Sequence, residues 1–301
     1  ANGSKDGRLH IATSSVFTAA GTESHSIGGG LAVQSGATFT TASTTFTFTA
    51  TTTNKSIYAL APLSFWNATF NGVGGSWSFD NGFATTTILN TATFTAGTLT
   101  GSGDLTLTQG TLTGGGTVNM TGGTVTLENS GTFGNANNWQ FSTLSLGNGV
   151  AAGSSVKTGT GTTTITGVLR VNALQRLYAA TSSWVLSGSG TPFTVSATGN
   201  FHVQVAPFTF SGTGATTVAD QTYAALLLTP SAAGTPTYTL RGGTLSATSV
   251  AIGGTNPVSV DANTNDPSMS ISGGVVIGAS STFTASNVGA LDVGGSWQNA
   301  G

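Results

Sequence analysis

Cysteine is absent from all 301 residues. That removes disulfides, zinc–thiolate sites and thiol catalysis together, without fixing the compartment. Charge is nearly absent too: Asp, Glu, Lys and Arg make up 5% of the chain, against about a quarter in an ordinary globular protein. Seven Lys and Arg scattered over this length cannot form the basic stripe that neutralises a phosphate backbone, so no nucleic-acid partner is expected. No apolar run approaches the ~20 residues that a helix needs to span a bilayer. The apparent strands are shorter than the ~9–11 residues of a membrane barrel and are interrupted by Gly turns, so no membrane insertion is expected. Residues 1–11 are polar and mixed in charge, unlike a signal peptide, and the chain reads as a mature product or an excised piece.

What is abundant is threonine and glycine: 57 Thr and 45 Gly fill about a third of all positions. Such a composition with little charge would suit a disordered chain, but disordered chains are poor in apolar residues and rich in net charge. Here 38% of residues are hydrophobic, the net charge is −2, and 16 Phe are spaced through Thr-rich segments, enough for a core built in small increments. Between Gly97 and Asn135 one pattern occurs three times: GTLTGSGDLTLTQ, GTLTGGGTVNMTG and GTVTLENSGTFGN. Each unit opens on a glycine (Gly97, Gly110, Gly123), followed by Thr-x-Thr around an apolar residue (Leu99, Leu112, Val125). Alternation at period two with Gly turns reads as strand, turn, strand. Short strand units in tandem cannot bury their apolar faces alone and must stack. The expected fold is all-β: a single-chain β-solenoid, specifically a right-handed parallel β-helix. A thirteen-residue step is short for a three-sided rung; it suits one turn of a narrow two-sided coil or, the preferred reading, half of a rung of about 26 residues. On that reading Leu99 and Val125 stack, with Leu112 between them on the other half.

Six of the nineteen ionisable residues, His included, fall in the first 25 positions. Residues 1–26 are therefore expected to form an N-terminal cap or an irregular first rung, or a docking face for a neighbour. Residues 27–301 read as the solenoid. Thr-Phe-Thr recurs around Phe39, Phe94 and Phe283, and side chains alternate across a strand, so Phe points inward while the flanking Thr point out. GGLAVQSGATFTTA from Gly29 aligns with GGVVIGASSTFTAS from Gly273, matching Phe39 to Phe283, and VGGSW occurs twice, placing Trp77 opposite Trp297. The segment after Trp297 stops where another strand should begin, so the solenoid is expected to continue beyond residue 301 or to be completed by a neighbouring molecule. The Gly-free stretch 168–187, with Arg170, Arg176 and Tyr178, reads as strand rather than helix because Leu169, Val171 and Ala173 alternate.

Reactive constellations are scarce. Asp80, Asp104, Glu128, Asp220 and Asp292 stand alone in the sequence, whereas acid–base work on a glycan needs two facing carboxylates. Asp104 and Glu128, 24 residues apart, would lie on adjacent rungs of about that length. No serine or histidine stands in a nucleophile-elbow context, so no catalysis is expected. The oxygen-rich run Asp261, Asn263, Asn265, Asp266 is the one candidate for a calcium ion, yet it lacks the glycine and terminal glutamate of an EF-hand loop and reads better as an Asx-rich turn. No cofactor is expected. The pairs Thr98/Thr100, Thr111/Thr113 and Thr124/Thr126 would form a flat hydroxyl array of the kind that binds ice if the three units stacked. Trp66, Trp77, Trp139 and Trp184 would serve a glycan groove if exposed.

The segment from Ser64 to Trp77, SFWNATFNGVGGSW, is similar to the S-F-Y-N-L-T-F-N-G-x-G-G-S-W repeat of long secreted β-solenoid proteins of environmental bacteria, many from candidate phyla. Thr49–Ile57 resembles the stretch before that motif, Val293–Gly301 resembles its V-G-G-S-W-x-N-x-G segment, and Gln221–Leu226 a degraded strand entry. The Gly97–Asn135 units also resemble passenger repeats of haemagglutinin-type adhesins. The resemblance touches about half the chain and contains no catalytic residue to carry over. It implies rungs of about 22 residues, hence roughly thirteen rungs and a rod of about 60 Å. It also implies an extracellular, cell-surface protein with a structural or adhesive role, such as the subunit of a self-assembling filament or sheath. Its partners would be further copies stacked end to end, surface neighbours, or host-cell or matrix glycans. The alternatives are a glycan-binding or glycan-degrading β-helix of lyase or tailspike type and, as a minor one, an ice-binding solenoid.

Overall fold

The computed structural model describes residues 7–80 and 85–300. They fold as an all-β, parallel β-solenoid of about 13 turns, with no helix among the described residues. The chain divides into two compact units, residues 1–159 and 160–301.

In the first unit each turn has three sides. The first turn supplies Leu9–Ile11, Val16–Ala19 and Ser24–Ile27, and each pairs in parallel with its successor one turn on: Leu31–Val33, Thr38–Thr41 and Thr45–Phe48. The described part of 1–26 is thus a turn in regular register, while Lys5 and Asp6 lie outside the described residues. Two longer strands, Leu63–Phe79 and Thr86–Gly101, run around the corners and contribute to the second, third and next first side in succession. They pair along their length, with register shifts where they bend.

The thirteen-residue repeat is not half a rung. Leu99 stacks between Trp77 and Val118, Val125 between Leu105 and Leu144, and Leu112 pairs with Phe133. The three lie on three different sides, and the expected Leu99–Val125 stack does not form. The physical unit is one side of six or seven residues, so a step of thirteen spans two sides of a three-sided coil. The opening glycines turn three different corners, all with positive φ: Gly97 at 98°, Gly110 at 69° and Gly123 at 63°. Each corner also presses on its neighbour. A Cβ on Gly110 would lie 2.2 Å from the Asn129 carbonyl oxygen, and one on Gly97 2.8 Å from the Trp77 ring.

The second unit is built likewise. Trp184–Leu186, Phe193–Val195 and Asn200–His202 form the three sides of one turn and pair with Thr163–Ile165, Leu169–Val171 and Gln175–Tyr178. The Gly-free stretch 168–187 therefore holds the three strands Leu169–Val171, Gln175–Tyr178 and Trp184–Leu186, with Leu174 at a φ of 62° and Ala180 at 56° in the bends between them. The two copies of the longer echo each run from one side around a corner to the next, through Leu31–Val33 to Thr38–Thr41 and through Val275–Ile277 to Thr282–Thr284. Turn length ranges from 18 residues, Phe208 to Leu226, to 26, Leu31 to Ile57.

Because registers are parallel, inward side chains form columns. Ile27, Phe48, Phe70 and Phe94 make one such column in the first unit, all buried, and the Phe48 and Phe70 rings stack at 5.0 Å and 8°. Trp184 stacks on Phe208 at 5.4 Å and 11° in the second unit. Such pairs each contribute about 0.5–1.5 kcal/mol beyond the area they bury. Three polar tips inside the coil close on corner carbonyls: the indole N–H of Trp139 donates to Gly116 and that of Trp184 to Ala179, while the Tyr223 hydroxyl donates to Ala219. Among the described residues, one buried inward position carries a Lys. Lys157 pairs with Phe133 in register, is 2% exposed, and its Nζ donates to the Thr158 carbonyl at 3.1 Å. Burial lowers its pKa to about 8.

Two predictions follow from corner and core. Gly110→Ala is expected to cost about 3 kcal/mol or more, and Gly149→Ala, at a φ of 77° with open space where its Cβ would go, only about 1 kcal/mol. Equal costs in chemical denaturation would show that conformation, not turn-to-turn contact, sets the requirement for glycine. For Lys157, the folded state gives up its proton near pH 8, while the unfolded chain keeps its own to about pH 10.4. Between these values the unfolded state binds more protons, so stability rises with pH by on the order of 2–3 kcal/mol. Lys157→Met is expected to flatten that rise in urea titrations at pH 7 to 10; the same slope in both proteins would refute the assignment.

Candidate functional site

The outward faces are as ordered as the core. On the first side of the first unit, Ser56, Ser78, Thr100, Asn119 and Gln140 follow one another turn by turn. On the second, Ser64, Thr87, Thr106, Thr126 and Ser145 do so. On the third the column is Ser26, Thr47, Thr69, Thr93 and Thr113. Every member is an uncharged hydroxyl or amide, and successive members are about 4.8 Å apart. Beside the third column, Thr45 and Asn67 pair in register, and the Asn67 amide donates to Thr45 Oγ1 at 3.1 Å and accepts from Asn90 at 2.9 Å.

The hydroxyl array anticipated from the repeat is not among these. Thr98/Thr100 lie on the first side, Thr124/Thr126 on the second and Thr111/Thr113 on the third, so those three pairs never share a face. The columns that do form draw one residue from each turn at intervals of about 19 to 24 residues, and their members share no local motif.

Sites of conventional chemistry dissolve on inspection. Asp104 and Glu128 do fall on adjacent turns, but Asp104 precedes strand Leu105–Leu107 and Glu128 follows its partner strand Thr124–Leu127. That offset of four positions puts them about 13 Å apart along the strand direction. The Asp104 carboxylate accepts the Thr124 backbone N–H at 2.7 Å, Asp80 accepts from the Ser78 hydroxyl, and Asp220 faces Arg241 at 3.7 Å. In the calcium candidate, Asp261 accepts from the N–H groups of Asn263 and Thr264 and from the Thr264 hydroxyl, whose hydrogen bond holds its carboxyl below the usual range. Asp266 instead accepts from Ser286 and from the Asn287 N–H, and the Asn265 amide donates to the Leu240 carbonyl. These oxygens close turns, and no group of three His, Cys, Asp or Glu among the described residues is placed to hold a metal. Of the four tryptophans anticipated for a groove, Trp77, Trp139 and Trp184 are buried and only Trp66, 37% exposed, reaches the surface.

Exposed large apolar side chains are scattered along the described residues, among them Val16, Val73, Val150 and Val205. In the second unit the last strands, Leu291–Val293 and Trp297–Asn299, carry Leu291 at 39% and Trp297 at 45% exposure. Trp77, which occupies the same place in its copy of VGGSW, is fully covered. In the first unit a cavity of about 380 Å³ opens at the first turn beside Arg8, Phe17 and His25. No family model, curated protein or solved structure matches the chain.

Proposed function

We propose that this chain is the structural part of an extracellular surface protein, a non-catalytic scaffold whose turns add end to end into a filament or sheath. The observation that carries this reading is the combination, in the first unit, of neutral hydroxyl and amide columns outside with aromatic columns inside. Within each unit parallel hydrogen bonding joins one turn to the next, so tension along the stack loads many backbone hydrogen bonds together. The outer columns keep that surface wet without net charge, and neighbouring molecules can lie close without repulsion. Strands Leu291–Val293 and Trp297–Asn299, with Leu291 and Trp297 exposed, form a strand edge that a further turn would cover. Such an edge is a template for another turn, and a second copy joined there makes a head-to-tail contact that propagates.

Sedimentation velocity on the purified chain is expected to show species that grow with concentration, and negative-stain images to show them as linear chains. Trp297→Arg should weaken this association by about tenfold or more while leaving the circular dichroism spectrum and melting temperature unchanged. A wild-type protein that stays monomeric at every concentration would sink the assembly. Protease-sensitive antibody labelling of intact source cells tests the surface location, and labelling that requires lysis would count against it.

A further inference from the structure

A dense group of polar aromatic and cationic side chains lies on the surface of the second unit, on the side formed by Gln175–Tyr178 and Asn200–His202. Arg176 pairs in register with Asn200 and Tyr178 with His202, while Leu177 and Phe201 between them point inward and are buried. The four outward side chains thus form a two-by-two grid, about 4.8 Å between strands and about 6.7 Å along them. Arg176, Asn200 and His202 are exposed. The grid is also held in place. The Tyr178 and His202 rings stack at 5.1 Å and 11°, and Arg176 Nη1 donates to the Tyr178 hydroxyl oxygen at 3.2 Å.

The direction of that hydrogen bond decides the chemistry. The Tyr178 oxygen is used as an acceptor, which leaves its own proton to be donated outward. The guanidinium keeps its other N–H groups, the Asn200 amide offers two more, and the imidazole edge offers another. No carboxylate among the described residues lies within ion-pair distance of Arg176, since the two ion pairs of the structure involve His25 with Glu23 and Arg241 with Asp220. A preorganised, donor-rich grid with one unbalanced positive charge on a neutral surface suits an acceptor-rich ligand with one negative charge per unit. Polyphosphates and nucleic acids need several cations together. A uronic acid has a single carboxylate on a ring of hydroxyls, and its ring covers about the area of this grid.

We propose that Arg176, Tyr178, Asn200 and His202 form a binding site for a uronate-containing saccharide. The guanidinium takes the carboxylate, and the Tyr178, Asn200 and His202 donors take the ring hydroxyl oxygens. The site occupies an outward face of the second unit away from the exposed last turn, and it stands whether or not the chain assembles.

Titration calorimetry with galacturonate and glucuronate oligosaccharides tests it, with galactose and glucose oligosaccharides of equal length as neutral comparisons and poly-glutamate as an acidic peptide. Binding of a uronate oligosaccharide at least tenfold tighter than its neutral counterpart is expected. Arg176→Ala should lose about tenfold or more and Tyr178→Phe a smaller factor, with Arg241→Ala unchanged. Poly-glutamate binding as tightly as the uronate would show charge attraction only and overturn the proposal, as would equal affinity in wild type and Arg176→Ala or no uronate binding at all. Trp297→Arg keeps this binding if the site is independent of assembly; its loss there would move the ligand to an interface and reject the site.

Discussion

Parallel in-register stacking makes every side chain its neighbour's neighbour at about 4.8 Å. A residue type is admissible only if it tolerates what lies one turn above and below. Phenylalanine on phenylalanine gains ring contact, and threonine on threonine packs methyl against methyl while both hydroxyls stay wet. Two like charges at that separation repel by about 1 kcal/mol in water and by several at the effective dielectric of a protein surface. The scarcity of charge, which at first reads only as an exclusion of nucleic-acid partners, is thus a condition of the fold. Where charged residues do enter a ladder, their partners are neutral: Arg170 faces Thr194, Arg176 faces Asn200, Asp292 faces Ser270, and Asp261 lies between Thr239 and Thr284.

The same constraint explains which parts of the fold were legible. Alternation of Thr with Phe, Leu and Val exposed the strands, and tandem repetition exposed the stacking, so the all-β solenoid could be read directly. The length of a turn could not. Strands hold registers, but corners absorb insertions, and the interval between stacked residues wanders from 18 to 26. The one segment where spacing is regular misleads in a particular way. Gly97, Gly110 and Gly123 mark corners, and corners recur three times per turn, so a two-corner step of thirteen mimics a half rung. The clue was present at half that spacing, in Leu105 and Val118 between the repeat's own apolar residues.

Sites were less legible because the structure brings together residues about one turn apart, and that interval is the variable quantity. Asp104 and Glu128 sit on adjacent turns as their spacing implied, yet at opposite ends of paired strands, a distinction that depends on register and not on separation. Arg176 and Tyr178 stood out in a Gly-free strand, while Asn200 and His202, one turn away, carried no signal in the sequence. The tryptophans could be found but not placed, because VGGSW puts Trp77 under Gly97 in one copy and leaves Trp297 bare in the other.

A surface of stacked neutral columns has a further consequence for recognition. A single unpaired guanidinium on a typical protein sits among many charges and competes with them for any anion. On this solenoid it stands in a chain with only 5% charged residues, and neither ion pair among the described residues involves it. Stacking also prevents its repetition, since an arginine in the next turn would lie directly over it. Asn200 occupies that place instead and adds amide donors without adding charge. The rule that keeps charge out of the ladder therefore also shapes the site: one cation, flanked by neutral donors of fixed position, matched to a ligand with one charge and many oxygens.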